Sequence, residues 1–224
     1  ELLPTVIGRF LKAIGKNKKS SGSKKERLHR SGPVRAVHRI DRETSGLLVF
    51  ARTGPAGRIL AEQFRQHTTQ RKYLALAVGR VGKGTVISSL VRDRGDGRRG
   101  SADDGKGKHA VTHVQPCEHF GNEYTLVECR LETGRTHQIR IHLAESGHPI
   151  CGERVYTAPR GSTLKDQSLA PRVALHAAEL GFVHPVSGEE ILFESRLPKD
   201  FKDVLRRLGK TCGREIVELS GSTK

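Results

Sequence analysis

Apolar positions along this chain recur with two periods, one helical and one alternating, and together they set out the elements. Val6, Ile7, Phe10, Leu11 and Ile14 share one helical face and predict a short amphipathic helix over residues 5–14. The stretch from Gly15 to Arg27 then holds no aliphatic or aromatic residue. It has nothing to bury against the entropy of ordering and is expected to be flexible, either as a phosphate-seeking arm or as an ordinary solvated loop. The run Leu47-Leu48-Val49-Phe50-Ala51 reads as a buried strand, and Thr53-Gly54-Pro55 supplies a helix start. Ala56, Ile59, Leu60 and Phe64 follow on one stripe, predicting a helix packed on a sheet.

Arg71 to Gly79 switches to strict alternation, with Leu74, Leu76 and Val78 on one face and Tyr73, Ala75 and Ala77 on the other. Tyr73 thus stands at a strand's start with only small neighbours on its side, where it reads as a core tyrosine or as a site residue. From Arg92 to Lys108 no periodicity survives among Gly, Asp, Arg and Ser, which predicts an exposed loop. Val111, Thr112 and Val114 mark a strand, and Tyr124 to Leu131 another. Arg135 to Ala144 returns to helical spacing, with Ile139 and Leu143 on a buried stripe and His137 and Arg140 one turn apart on another side. Leu175 to Pro185 reads as a strand closing on a turn, with Leu180 and Phe182 inward. Phe201, Val204, Leu205 and Leu208 form a last amphipathic helix stopped by Gly209.

Charge changes the picture more than hydropathy does. The 224 residues carry 40 Lys and Arg against 24 Asp and Glu, a formal charge of +16 and a pI near 10.2. A surplus of that size implies a polyanionic partner, with nucleic acid the usual one. A membrane surface is disfavoured, because no run of 18 or more apolar residues exists and no basic amphipathic helix dominates. Cys117, Cys129, Cys151 and Cys212 are widely spaced without a CxxC pair and read as reduced thiols. The early, proline-broken apolar stretch Leu2 to Ile7 does not fit a secretory signal, so a cytoplasmic location is expected. The start at Glu1 and the lack of any methionine fit a trimmed beginning.

Four stretches invite a chemical reading. In His38-Arg39-Ile40-Asp41-Arg42-Glu43-Thr44-Ser45-Gly46 a lone acid sits between two arginines and beside a histidine. In extended chain Arg39 and Asp41 would share a face, and a cation beside a carboxylate lowers its pKa. That makes Asp41 a carboxylate held charged for use, or else one half of a surface ion pair. Gly100-Ser101-Ala102-Asp103-Asp104-Gly105-Lys106 is formally GxxxxGK, but Gly107 stands where a phosphate loop needs Ser or Thr. His109, His113, Cys117 and His119 have zinc-like spacing, yet on a strand His109 and His113 lie about 13 Å apart, too far for one metal. Gln138, beside Ile139 and Ile141 near a helix start with His137, Arg135 and Arg140, points to a partly buried, hydrogen-bonded end.

Three separated segments, apart from the GxxxxGK stretch and the His/Cys cluster, together resemble the RluA-type pseudouridine synthases. The family's HRLDxxTSG is matched from His38 to Gly46 with Ile40 for leucine, and RTHQIR-x-H from Arg135 to His142. The following G-x-P-I-x-G-D is matched from Gly147 to Glu153, with Glu153 replacing the aspartate. K-x-Y appears, one residue shorter, at Lys72-Tyr73, and LHA-x-x-L-x-F-x-HP from Leu175 to Pro185. The likeness implies an α+β domain on a mixed, largely antiparallel sheet with flanking helices. It also implies isomerisation of uridines in rRNA or tRNA without a cofactor. Carried over residue by residue, it implies catalytic roles for Asp41, Tyr73 and Arg140, and substrate-binding roles for Arg39, His38, Arg135, His137, Gln138 and Leu180. Arg39 would fill the space of the flipped base and Leu180 would line the uracil pocket. The expected organisation is an N-terminal helix and basic segment at 1–33, a catalytic domain at 34–210 and a tail at 211–224, acting as a monomer on RNA with no metal and no membrane partner. The family's N-K-P-x-G strand is not matched upstream, so an exposed sheet edge is expected there. The rival readings are a non-catalytic RNA-binding or ribosome-associated protein and a nucleotide hydrolase using Gly100 to Lys106.

Overall fold

The computed structural model describes residues 34–102, 106–157 and 164–211. The expected helix at 5–14, the basic segment after it and Cys212 lie outside them. The chain forms two compact units. Among the described residues the smaller takes in 34–40, Leu48–Thr69 and Gly181–Phe193; the larger takes in Asp41–Leu47, those from Gln70 to Leu180, and 194–211.

In the smaller unit β1 (Arg35–Ala36) pairs antiparallel with β3 (Phe50–Ala51), and α1 (Gly54–Arg65) packs on β3. Thr53 caps α1 as expected, its hydroxyl accepting from the Ala56 amide at 3.3 Å, and Pro55 sits in the first turn. Leu60 is buried and Phe64 stacks on the His38 ring at 4.2 Å, but Ile59 points to solvent, so the stripe is narrower than its spacing implies. The unit ends in a hairpin between the last residues of β9 (Leu175–Val183) and β10 (Glu190–Glu194).

The strand expected at 47–51 shrinks to Phe50–Ala51. Gly46 has φ +107°, a conformation that glycine tolerates and side-chain-bearing residues rarely adopt, and a Cβ there would overlap the Ala177 backbone. The chain turns as it leaves that residue. Farther along, the Val49 amide donates to His38 Nε2 at 3.0 Å, which removes it from any ladder.

The larger unit carries the main sheet, in the order β9, β4 (Gln70–Val78), β8 (Tyr124–Leu131), β7 (Lys108–Phe120), β5 (Gly84–Val91) and β6 (Gly100–Ser101). The pairs β4–β8, β8–β7, β7–β5 and β5–β6 are antiparallel, whereas the two-residue β2 (Ser45–Gly46) lies parallel to β9. The sheet is thus mixed and mostly antiparallel. Ala75 to Val78 are buried on both faces, so the alternation read along β4 separates two buried faces and not a core face from a solvent face. The core gathers Leu76, Leu126, Val127 and Ile150 with Phe201, Val204, Leu205 and Leu208 of α3 (Lys199–Thr211). Gly209 does not end α3: it is buried, and the helix runs on to Thr211. The expected loop at 92–108 also needs correction, since Gly100 and Ser101 pair with Leu90 and Val91. Glu145 accepts from the Ser101 amide and hydroxyl, so a carboxylate occupies donors that a phosphate loop would aim at its ligand. No helix among the described residues is long and apolar enough to cross a membrane.

The helix α2 (Gln138–Glu145) is buried from Gln138 through Ala144, not exposed on one basic face. It starts three residues later than the sequence spacing implies, because His137 adopts φ 61°, ψ 17°. Burying such a helix requires every polar group to find a partner. His142 Nδ1 meets Thr112 Oγ1 at 2.9 Å and its Nε2 meets Ser88 Oγ at 3.0 Å.

Burial pushes the His142 imidazole down to about 4 from an ordinary 6.5, only weakly opposed by Glu145. The unfolded chain therefore binds a proton that the folded chain refuses, and folding stability falls as pH drops through the window from 6.5 to about 4. Urea denaturation across that window is expected to show this loss. A His142→Gln variant, which cannot titrate, is expected to show a flatter profile; an unchanged slope would contradict the assignment.

Candidate functional site

Asp41 opens a tight turn in which the Thr44 amide donates to the Asp41 carbonyl at 3.0 Å and Arg42 and Glu43 face solvent. The turn is anchored from behind by one guanidinium. Arg172 donates from Nε and Nη2 to the two Asp200 oxygens at 2.7 and 3.2 Å, from Nη1 to the Glu43 carbonyl at 2.7 Å and from Nη2 to Ser45 Oγ at 3.0 Å. Ser45 Oγ also meets His176 Nδ1 at 2.9 Å, and His176 Nε2 reaches the Ser195 carbonyl at 3.0 Å. Because that carbonyl can only accept, His176 carries its hydrogen on Nε2 and takes the Ser45 hydrogen on Nδ1. Burial lowers the His176 pKa, so it stays neutral in this role; the Ser195 carbonyl opposes the shift and Arg172 reinforces it. The Asp200 carboxyl is held below its usual range, first by the Arg172 hydrogen bond. Arg172, Asp200 and Ser195 were not singled out in the sequence, and nothing there tied Ser45 or His176 to anchoring, since the partners are scattered over three segments.

The Asp41 carboxylate, 15% exposed, faces two cation-capable groups from the start of α2. Arg140 Nη1 lies 3.5 Å from Oδ2, and His137 Nε2 lies 3.8 Å from Oδ1. Local chain order put Arg39 and Arg42 beside it and the family resemblance put Arg140 there; in the structure the guanidinium facing it is that of Arg140, about a hundred residues downstream. Arg140 is not devoted to Asp41. Its Nε and Nη2 form a bidentate pair with Glu153 at 2.6 and 2.9 Å, leaving only the Nη1 edge for Asp41. Glu153 also accepts from the amides of Arg154 at 2.9 Å and Val155 at 2.8 Å. Burial pushes the Glu153 carboxyl up, but the Arg140 hydrogen bonds and the amides of Val155 and Tyr156 outweigh it and hold the group below its ordinary value. Burial likewise works against the Arg140 charge, and Glu153, with help from Asp41, more than restores it.

Tyr156 completes the cluster. Its hydroxyl is 2.7 Å from His137 Nδ1, and its ring lies under the Arg140 guanidinium, 5.2 Å from centroid to carbon. The His137 pKa is lowered: burial leads, Arg140 and Arg99 reinforce it, and Asp41 opposes it. Tyr73 sits on β4 within electrostatic range of Asp41, and burial pushes its phenol up to about 12, Arg71 opposing and Asp41 reinforcing. The phenol is therefore protonated at neutral pH.

Of the residues singled out in the sequence, Asp41, Tyr73, His137 and Arg140 come together in the larger unit. Leu180 is buried on β9. Arg135 donates from Nε to the His109 carbonyl at 3.0 Å. Gln138 is not free for a substrate. Its Oε1 accepts from Thr133 Oγ1 and the Arg135 amide, its Nε2 donates to the Val111 carbonyl and Thr112 Oγ1, and it is 2% exposed, so its amide is fully used in joining α2 to β7. In the smaller unit the His38 ring is occupied by the Val49 amide and Phe64, and Arg39 is exposed. His109 and His113 lie on a strand, and His113 is paired with Thr85 and Glu132. The residues the sequence left without a role are Glu153, quoted only as a replaced aspartate, and Tyr156, three positions on.

With 1% and 10% of their side chains exposed, Glu153 and Arg140 form a nearly buried pair. Replacing Glu153 by Gln leaves an uncompensated buried charge and is expected to cost on the order of 3 kcal/mol in urea denaturation at pH 7. In the wild type the contribution is present above the ordinary 4.5 of a glutamate and fades as pH falls through its lower folded value. A loss under about 0.5 kcal/mol would show that Arg140 is stabilised by other means.

Comparison with known proteins bears on the same residues. A family model described as RNA pseudouridylate synthase matches residues 11–145. The ribosomal large subunit pseudouridine synthase D of Zymomonas mobilis is 44% identical over 176 residues, covering 77% of this chain and 55% of that protein. The protein of the same name from Neisseria meningitidis serogroup A is 43% identical over 183 residues, covering 79% and 49%. This chain thus spans about half the length of the curated relatives it matches. Among solved structures, human RNA pseudouridylate synthase domain containing 4 superposes with a TM-score of 0.67 at 27% identity, over 83% of this chain and 79% of that one. A family match over more than half of the sequence, relatives above 40% identity and a shared fold lead to one conclusion: the chain belongs to the RluA-type RNA pseudouridine synthase family.

Proposed function

We propose that this protein isomerises uridine to pseudouridine in RNA, with Asp41 as the reacting carboxylate and large-subunit ribosomal RNA as the substrate class. The observation that carries the reading is the Asp41 carboxylate, within a matched motif, facing Arg140 at 3.5 Å and His137 at 3.8 Å. The substrate class is supported by the names of the bacterial relatives, which are large-subunit synthases. A charge of +16 is of the right sign and size for a polyanionic substrate.

The reaction breaks the bond from C1′ to N1, turns the uracil, and joins C1′ to C5. The C5 proton is lost, N1 gains one, and no electrons are exchanged with an outside partner. A carboxylate serves as nucleophile at C1′ or as base at the ribose, and both need an anionic oxygen at the sugar with its charge balanced nearby. Arg140 supplies that balance from one side, and His137 faces the other carboxylate oxygen. Tyr73, with its phenol pushed up to about 12, acts as a neutral wall and hydrogen-bond donor for the base, not as a phenolate that removes the C5 proton. The target must leave its stack to reach the carboxylate. Arg39, exposed two residues before Asp41, is assigned to fill the gap, Leu180 to line the uracil pocket and Arg135 to contact the backbone.

The test is release of tritium from ribosomal RNA transcripts carrying uridine labelled at C5. Wild type is expected to release it, and Asp41→Asn, nearly isosteric, is expected to lose about a thousandfold or more in rate while still binding RNA. An Asp41→Asn variant that turned over like the wild type would remove Asp41 from the chemistry.

A further inference from the structure

We propose that Tyr156 is a positioning residue that fixes the neutral tautomer of His137 so that its Nε2–H, and not a lone pair, faces the Asp41 carboxylate; this rests on reading Asp41 as the reacting group.

The backbone aims the ring first. His137 occupies the N-cap place of α2 in a left-handed conformation, φ 61°, ψ 17°, yet its side chain makes no capping hydrogen bond. A histidine held in that sparsely populated region without serving the helix is held there by other contacts. Those contacts are Tyr156, whose hydroxyl lies 2.7 Å from Nδ1 with its ring nearly edge-on at 70°, and Asp41 at 3.8 Å from Nε2. Catalytic hydrogen bonds are commonly long before substrate arrives and tighten with it.

The tautomer follows from which partner can only accept. A neutral imidazole has one hydrogen for its two nitrogens. A carboxylate can only accept, so the hydrogen belongs on Nε2, and Nδ1 then needs a donor. Tyr156 provides it. Burial raises the phenol's pKa, Glu153 adds to the rise and Arg140 opposes it, so the O–H is intact at neutral pH. The charged and titratable groups around His137 are Asp41, Arg140, Arg99, Glu153 and Tyr156. Among them only the Tyr156 hydroxyl contacts Nδ1 and occupies the lone pair that an incoming proton would take. The same ring supports Arg140 from below, so one side chain orients both groups that face Asp41. A neutral N–H orients the carboxylate and adds no second positive charge beside Arg140.

The experiment is nitrogen-15 NMR of histidine-labelled full chain, wild type and Tyr156→Phe, which keeps the ring under Arg140 and removes only the hydroxyl. In wild type at pH 7, His137 is expected to show a protonated Nε2 and a bare Nδ1, titrating below 6.5. In Tyr156→Phe the midpoint is expected to rise by about one unit, because Nδ1 is freed to accept a proton. Turnover on RNA, measured separately, is expected to fall about tenfold in kcat with little change in KM. A wild-type ring protonated on Nδ1, a Tyr156→Phe titration that superposes on the wild type, or an unchanged kcat would each overturn the proposal. The NMR readouts need no RNA, so failure of this assignment and failure of the synthase reading register separately.

Discussion

The division of one guanidinium between two carboxylates is the interaction on which the site depends. Arg140 sits on a helix buried along nearly its whole length, where an unpaired cation would cost several kcal/mol. Glu153 meets that need with two short hydrogen bonds and locks the plane of the guanidinium, and the one edge left over points at Asp41. Stability and chemistry are thereby separated. Glu153 holds the charge in place, while Asp41 takes the looser contact at 3.5 Å, which on the proposed reading leaves its oxygens available to the uridine. Had Arg140 been bidentate to Asp41, the carboxylate would be tied up by the group meant to assist it.

The same economy governs the loop that carries Asp41. A five-donor guanidinium at Arg172 fastens Glu43 and Ser45 to Asp200 on α3, and His176 completes the arrangement from β9. A lysine there would offer a point charge in place of a fork that reaches a carboxylate, a carbonyl and a hydroxyl at once. The loop is pinned at both of these residues, and the exposed Arg42 and Glu43 side chains stay free of the anchoring. Two arginines, Arg140 buried and Arg172 half-buried, each paired with a carboxylate, thus position Asp41: one from behind the loop and one across from its carboxylate.

Much of the fold was legible because it is written in local periods. β4, β8 and β9 appear where alternation places them, α1 starts at its Thr53 cap, and α3 follows the stripe from Phe201 to Leu208. What was not legible depended on contacts distant in sequence. The strand at Leu47 was cut short because Gly46 turns beside Ala177 and His38 captures the Val49 amide, and neither partner is visible in the apolar run. Ser101 was lost in a polar loop because its strand partner and Glu145 lie well away from it in the chain. In the site, Asp41, Tyr73, His137 and Arg140 could be gathered by resemblance, which also grouped Gln138 with the substrate-binding residues although its apolar neighbours pointed to a partly buried, hydrogen-bonded place. Its amide is polar like theirs, and only the four hydrogen bonds it makes inside the protein show that it joins helix to sheet. Glu153 and Tyr156 carry no periodic signal at all; their importance comes from facing α2 across a turn.

The most direct test of the account is a crystal structure of the protein with an RNA in which the target uridine is replaced by 5-fluorouridine, whose C5 has no proton to lose, so that the rearranged base stalls in the site. The account predicts a nucleotide swung out of its stack with its ribose against the Asp41 carboxylate, Tyr73 against the base, and the Arg140 to Glu153 pair unbroken. A nucleotide bound elsewhere, or Arg140 released from Glu153 to clamp Asp41 with both of its edges, would contradict it.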